Sequence, residues 1–162
     1  MFVRIRDMKI EQVPWADPDA TSLRVRQRAE IAVRYGTPDS EPGAAPSEAD
    51  IASFFVARDD DGTAVGCGGL RHLGDGVGEV KRMYVAPAWR GSGIALRILR
   101  ALEDWARERG WTSLRLETGD AQPDAVRFYT RAGYERIPNF GAYAGTESSL
   151  CFERLLERDD HA

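Results

Sequence analysis

Residues 85–99 read VAPAWRGSGIALRIL and join a valine-ended apolar run to a long amphipathic segment. From Ile94 to Trp105 apolar residues recur at helical spacing, so the sequence predicts a helix that begins at the glycines. Glycine weakens the start of a helix unless the backbone must turn there or a ligand must approach it closely. The tetrapeptide RGSG at 90–93 therefore needs a specific explanation.

Three interpretations of this tetrapeptide are open on its residues alone. The first is a tight strand-to-helix turn that binds nothing. The second is a nucleotide fingerprint, but the P-loop ending Gly-Lys-Ser/Thr is missing and the dinucleotide form needs glycine or alanine where Leu96 stands. The third is an anion cradle, because the first N–H groups of a helix lack intrahelical partners and its dipole favours a phosphate. Gly91 and Gly93 would let a pyrophosphate approach, and Arg90 would add a charge at the rim.

The remaining patterns predict a single domain over 1–162. Residues 53–85 read as an antiparallel meander, and the order strand, helix, strand after residue 79 implies a right-handed crossover between two parallel strands. A loop rich in Pro, Gly, Ser and acidic residues covers 37–50, with a helical turn from Ser47 onward, and a second loop covers 139–149. The predicted strands are 2–8, 53–59, 64–73, 79–85, 112–118 and 149–156, and the predicted helices are 17–36, 94–110 and 123–133.

Composition limits the classes of function. A formal net charge of -4 gives no support to nucleic-acid binding. The N-terminal residues lack a signal-peptide apolar region and no run approaches the length of a membrane span, so we expect a cytoplasmic protein with no membrane partner. Cys67 and Cys151 lie in apolar runs and are expected to be buried, reduced thiols. No metal-ligand spacing is present, so no metal site is expected.

Two motifs resemble those of a known family. In 85–99, Arg90, Gly93 and Ala95 fit the pattern Arg/Gln-x-x-Gly-x-Gly/Ala of motif A of the GNAT superfamily, the acyl-CoA-dependent N-acyltransferases. Residues 122–135, QPDAVRFYTRAGYE, resemble its motif B, with Gln122 in place of the usual Asn. In motif B Tyr134 also replaces the usual Phe, whereas the family's residue types are kept at Ala125, Phe128, Tyr129 and Gly133.

The resemblance implies an α+β GNAT fold. Its sheet would be mixed and mostly antiparallel, with six or seven twisted strands, a splay between strands 4 and 5, and about four flanking helices. Acetyl-CoA would enter the splay, with its pantetheine arm along one strand and its pyrophosphate on the N–H groups of 91–95. The cofactor-binding residues implied in this way are Met83, Tyr84, Val85, Arg90, Gly91, Ser92, Gly93, Ile94, Ala95, Gln122, Phe128 and Tyr129.

The chemistry implied by the resemblance is attack of an amine on a thioester. Tyr129 matches the motif B tyrosine that often protonates the departing thiolate. The amine must lose a proton, and Glu79 is the first candidate for the base, Glu117 the second and His72 the third; a water relay without a dedicated base also remains open.

The acceptor site is the least defined part of the sequence. By analogy with the family it is lined by the first long helix and by the loops 36–50 and 138–147. Its candidate residues are Tyr35, Arg71, Arg82, Phe140 and Tyr143, with the two arginines as carboxylate binders.

The resemblance thus implies an N-acetyltransferase that moves an acetyl group from acetyl-CoA to a primary amine of a small molecule or peptide, by direct transfer in a ternary complex. A non-catalytic acyl-CoA sensor and an acetyltransferase of protein lysines or N-termini are the alternatives. Dimers are common in the family, and the segment 148–156 could supply a homodimer surface.

Overall fold

The structure is a computed structural model that describes residues 8–38 and 42–157. Its strands are β1 (Lys9–Gln12), β2 (Ile51–Arg58), β3 (Ala64–Gly74), β4 (Val77–Val85), β5 (Ser113–Gly119), β6 (Glu135–Ile137) and β7 (Ser149–Leu155). Its α-helices are α1 (Pro18–Tyr35), α2 (Ile94–Glu108) and α3 (Pro123–Arg131). The strands form one mixed sheet in the order β1-β2-β3-β4-β5-β7-β6, which confirms the α+β class and the strand count.

Most predicted elements are confirmed, and the exceptions have local reasons. Within the described ranges there are three α-helices rather than about four, because the turn begun at Ser47 is closed by Asp50 and runs straight into β2. The predicted strand at 2–8 lies almost wholly outside the described residues. Strands β1 and β6 were not predicted. β1 begins just after the predicted strand at 2–8, and β6 is only three residues long and mostly exposed, so it carries no apolar alternation.

Helix α1 begins and ends at residues suited to that role. The Asp17 carboxylate accepts hydrogen bonds from the N–H groups of Asp19 and Ala20 at the start of α1, and Gly36 ends that helix with φ 77°. In the part of the chain that the structure describes, no helix combines the length and the apolar character that crossing a membrane requires.

The sheet is covered by a helix on each face. Helix α2 packs its apolar stripe onto one face, and α1 places Leu23 on the other. Burying side chains of this size stabilises the fold by about 1.5–3 kcal/mol each. The α2 face is built from Val80, Leu114, Leu116, Ile94, Ile98, Leu99, Leu102 and Ala106, and the α1 face from Leu23, Phe54, Val56, Cys67 and Tyr84.

The predicted parallel pair, β4 and β5, is hydrogen-bonded over a short distance only. Its three register pairs are Val77–Ser113, Gly78–Leu114 and Glu79–Arg115. Beyond the last pair β4 remains on β3 while β5 remains on β7, so the two strands part. This is the splay that the sequence predicted between strands 4 and 5.

A β-bulge lies on the splayed part of β4. Arg82 and Met83 both stand opposite Gly68, and Arg82 has φ 60°, which is unusual for a residue with a side chain. The Cys67 thiol donates a hydrogen bond to the Arg82 carbonyl at 3.4 Å. Gly68 of β3 lies opposite this bulge and also allows a close approach, since a Cβ there would lie 3.1 Å from Ile98 of α2.

Cys67 gives the stability of this region a specific pH dependence. Burial raises the pKa of its thiol from 9.0 to about 12. Because the unfolded thiol ionises first, its contribution to the free energy of unfolding is complete below pH 9 and is lost as the pH rises towards 12, by up to about 1.4 kcal/mol per pH unit. Cys67→Ser keeps a donor for Arg82 and does not titrate, so its free energy of unfolding should fall less steeply between pH 9 and 11. Urea titrations at several pH values measure this, and parallel profiles for the two proteins would contradict it.

Candidate active site

The splay opens a cleft of about 260 Å³ that runs between α1 and α3. Part of its wall is main chain and side chain of the two parted strands, and the rest comes from the helices and from a loop before β7. The lining residues are Gln27, Ile31, Tyr35, Val80, Lys81, Arg82, Met83, Leu116, Glu117, Thr118, Gly119, Gln122, Ala125, Tyr129, Ser148 and Ser149.

The cleft reaches both faces of the sheet. Leu116 of β5 belongs to the core under α2, so strand alternation places Thr118 on that face and Glu117 and Gly119 on the α1 face. Gly119 agrees with this, because a Cβ added there would lie 1.9 Å from the Tyr35 hydroxyl of α1. A molecule on the α1 side and one on the α3 side can therefore meet in the gap.

Tyr129 lies in the cleft on the α3 side. Its side chain is buried, and this burial raises the pKa of its hydroxyl well above the ordinary tyrosine value. The ring packs edge-on against Phe128 and Tyr134, with centroids 5.0 and 5.8 Å away. Tyr129 is therefore a protonated group with a fixed ring at neutral pH, which is the state a proton donor needs.

A buried carboxylate fastens α3 to α2. Glu103 is fully buried and accepts hydrogen bonds from Arg100 at 2.7 Å, from Arg154 at 2.6 Å and from the Tyr134 hydroxyl at 2.9 Å. Arg100 also donates to the carbonyl of Ala132, at the C-terminal end of α3. The network therefore holds the helix that carries Tyr129.

A groove lies beside the N-terminus of α2. Gly91 and Gly93 have φ values of 76° and 91°, so the tetrapeptide is first of all a turn that residues with a Cβ would strain. No acidic residue occupies the first turn of α2. The groove runs between α2 and α3 with a volume of about 630 Å³. Its arginines are Arg90, Arg100, Arg127 and Arg131.

Arg90 connects three elements rather than pointing freely into solvent. Its guanidinium donates to Glu30 of α1 at 2.6 Å and to the carbonyl of Val85 at 3.0 Å. The hydrogen bond that Arg90 donates to Glu30 raises the pKa of Arg90. Beside it, the Ser92 hydroxyl donates to the Trp89 carbonyl and closes the turn. The ion pair between Arg90 and Glu30 of α1 thus helps to hold the glycine turn in its conformation.

The family model of the GNAT acetyltransferases matches residues 12–134. The chain belongs to the GNAT family. Over 104 residues it is 42% identical to an IAA acetyltransferase of Azospirillum brasilense. The matched segment makes up 64% of this chain and 67% of that protein. The matched segments span 51–71% of the first three curated relatives' own lengths.

Solved GNAT structures superpose on nearly the whole chain. A Klebsiella pneumoniae protein described as an acyl-CoA N-acyltransferase is 30% identical, with a TM-score of 0.79 over 93% of this chain and 98% of that one. The PaiA N-acetyltransferase of Thermoplasma acidophilum, solved with coenzyme A, shares the fold at 18% identity and a TM-score of 0.68, over 91% and 98% of the two chains.

Within this GNAT frame, the predicted cofactor residues are divided between two places. Met83, Gln122 and Tyr129 line the cleft, and Gln122 immediately precedes α3. The α2 groove holds Val85, Arg90, Gly91, Gly93, Ile94, Ala95 and Phe128. Tyr84 is buried under α1, and Ser92 lies in the turn.

The two glutamates predicted as bases lie in different surroundings. Glu117 lines the cleft and accepts a hydrogen bond from Ser149 at 3.2 Å. Glu79 is buried outside the cleft lining, where it accepts the Tyr143 hydroxyl at 2.6 Å and has the Lys81 ammonium at 3.6 Å. Of the two, Glu117 is the carboxylate that a bound molecule can reach directly.

The predicted acceptor residues are also separated by the structure. Tyr35 and Arg82 line the cleft. Arg71 pairs with Asp50 at 2.9 Å and donates to the Ala44 carbonyl at 3.0 Å, so it fastens the loop before β2.

Three other predicted residues also lie outside the cleft lining. The Phe140 and Tyr143 rings pack together at 5.3 Å. The third base candidate, His72, stacks on Trp111 where β4 and β5 are still joined. For all of these residues a role in binding or catalysis stays a prediction.

Sequence reasoning missed several residues of the cleft lining, and Lys81 and Gln27 are two of them. Lys81 is only 5% exposed, and its ammonium donates to the Tyr143 hydroxyl at 3.1 Å. Gln27 donates from its side-chain amide to the carbonyl of Met83 at 2.9 Å, which ties α1 to the bulge. The sequence gave little signal for Lys81, because β4 also carries the charged residues Glu79 and Arg82, and it gave none for Gln27.

The glycine turn can be tested with a matched pair of variants. Gly91 and Gly110 have φ values of 76° and 77°, and a Cβ at either would meet nothing within 4 Å. Alanine should therefore strain the backbone equally at both, by about 1 kcal/mol, but only Gly91→Ala adds a methyl group at the groove. We expect CoA to bind Gly91→Ala about tenfold more weakly and Gly110→Ala as tightly as the wild type. Calorimetric Kd values and melting temperatures measure this; equal weakening in both variants would mean that the glycine serves folding alone.

Proposed function

We propose that this GNAT protein transfers an acetyl group from acetyl-CoA to a primary amine of a small molecule, directly and within a ternary complex. The observation that carries the proposal is the short β4–β5 ladder, which ends at Glu79 and Arg115 and leaves a cleft open to both faces of the sheet. The modest size of this cleft favours a small acceptor over a folded protein.

The residues around the splay fit an acyl-CoA. From Val80 to Val85, β4 has no register partner on β5, so an extended pantetheine arm could pair with that edge. The unpaired N–H groups at the start of α2, the two αL glycines and the groove arginines suit a pyrophosphate. The relative solved with coenzyme A shares this fold, which adds support.

The chemistry then falls to residues on the two sides of the cleft. Bound acetyl-CoA supplies a thioester carbonyl as the site of attack. On the α1 side Glu117 accepts the proton that the amine must lose, since a lysine-like amine has a pKa near 10.4 and is mostly protonated at neutral pH. On the α3 side Tyr129 gives its proton to the departing thiolate. Glu79 acts indirectly, because it holds Tyr143 and Lys81 in position.

Tyr129→Phe tests the enzyme proposal against a binding-only sensor. The variant keeps the ring that packs on Phe128 and Tyr134 but loses the hydroxyl that would give the proton. We expect kcat to fall about 100-fold, with the Kd of CoA unchanged. Release of free thiol from acetyl-CoA, measured over a panel of amines, follows turnover. If the protein is a sensor, neither the wild type nor Tyr129→Phe releases thiol with any amine. Acetylation confined to protein lysines or N-termini would instead favour a protein-modifying enzyme.

The choice between the two carboxylates can be tested by their pH profiles. In Glu117→Gln, kcat/KM should fall about 100-fold at pH 7 and much less at pH 9.5, because the deprotonated fraction of a lysine-like amine is roughly 300 times larger at pH 9.5 and that fraction does not need the base. Glu79→Gln should lower activity by a factor that changes little with pH. If the pH-dependent loss appears in Glu79→Gln instead, the proton leaves through Tyr143 and Lys81.

A further inference from the structure

Three buried polar atoms in the cleft have no hydrogen-bond partner within the described protein. They are the side-chain carbonyl oxygen of Gln27, the Tyr35 hydroxyl and the Thr118 hydroxyl. Buried polar groups are nearly always partnered, and one without a partner costs about 1–3 kcal/mol. Their concentration in one cleft therefore points to a ligand that pairs with them.

Two of these atoms belong to one stripe of α1. Gln27 and Tyr35 are eight residues apart, with Ile31 midway, so they lie on the same side of the helix at a separation of roughly 12 Å along its axis. Strand alternation places Thr118 on the other face with Leu116, towards Tyr129. Gln27 and Tyr35 are thus the pair available to a molecule that enters from the α1 side.

Both side chains are held in position by the protein. The Gln27 amide N–H donates to the Met83 carbonyl, which fixes its orientation and leaves the oxygen as an acceptor only. The Tyr35 hydroxyl fits because position 119 is glycine; the Cβ of any other residue would lie 1.9 Å from it. An ordered acceptor and an ordered hydroxyl, with Ile31 between them, form a preorganised recognition surface.

We infer that the acceptor is a polar amine with at least one further hydrogen-bonding group, which the Gln27 carbonyl oxygen and the Tyr35 hydroxyl bind while Ile31 contacts the carbon chain. Gln27 selects a donor, such as an N–H or O–H, and Tyr35 pairs with either a donor or an acceptor. The class is amino alcohols, diamines and amino amides, as opposed to plain alkylamines. This inference rests on the proposed acetyl transfer.

The experiment compares acceptors that differ by one polar group. Terminal amino alcohols with about four to ten methylenes, whose extended lengths bracket the roughly 12 Å spacing along α1, are compared with alkylamines of the same length. In the wild type, kcat/KM should favour the amino alcohol by about tenfold at the best length. Tyr35→Phe and Gln27→Met should each lose most of that preference, because kcat/KM falls further for the amino alcohol than for the alkylamine. Val33→Ala, on the 87%-exposed side of α1, should keep it in full.

Independent readouts separate recognition from folding and from the chemistry. Since the Tyr35 hydroxyl has no partner among the residues that the structure describes, Tyr35→Phe should leave the melting temperature and the Kd of CoA unchanged or improved. Equal kcat/KM within each acceptor pair, or a preference that survives in both variants, would overturn this inference alone and mean that water satisfies these atoms. A wild type that binds CoA but acetylates no amine would overturn the proposed function, and this inference with it.

Discussion

The three residue pairs that join β4 to β5 are the interaction on which the rest of the molecule depends. They connect the β1–β4 half of the sheet to the β5–β7–β6 half, and α2 spans both through their common core. A longer ladder would close the sheet and remove the cleft, whereas none at all would leave the two halves joined only by side-chain packing. The site exists because the ladder stops at Glu79 and Arg115.

Charged groups are buried around this opening, and each is paired. Glu79 lies among Tyr143, Lys81 and Arg71, and Glu103 lies between two arginines and a tyrosine hydroxyl. Burying such groups costs several kcal/mol per ion unless partners compensate, so these clusters are poor sources of net stability. These clusters instead hold neighbouring groups in place. The Glu79 cluster orders Lys81 and Tyr143, and the Glu103 cluster orders the helix that carries Tyr129.

The order of elements could be predicted because it follows local patterns. Short stretches encode the period of α2, its glycine turn and the crossover from β4 to β5, whereas the mixed sheet and its splay were expected from the resemblance of two motifs to the GNAT family. The acceptor side could not be predicted in this way. Gln27 is an ordinary polar residue on a helix until Met83 is brought beside it, and Arg71 looks like a pocket arginine until Asp50 and Ala44 take its donors. Such pairings join residues up to 56 positions apart, and no local pattern encodes them.

Helix α1 is tied to both ends of the cleft region. Gln27 binds the backbone of the bulged strand, and one turn later Glu30 binds Arg90 at the start of the α2 motif. Helix α1 therefore contacts both the place proposed for acetyl-CoA and the place proposed for the amine. If binding of one of these molecules shifts α1, the affinity for the other molecule changes. Thermodynamic linkage then requires that the second molecule change the affinity for the first by the same factor. The acetyl donor and the amine can thus bind cooperatively within this single small domain, without a second subunit.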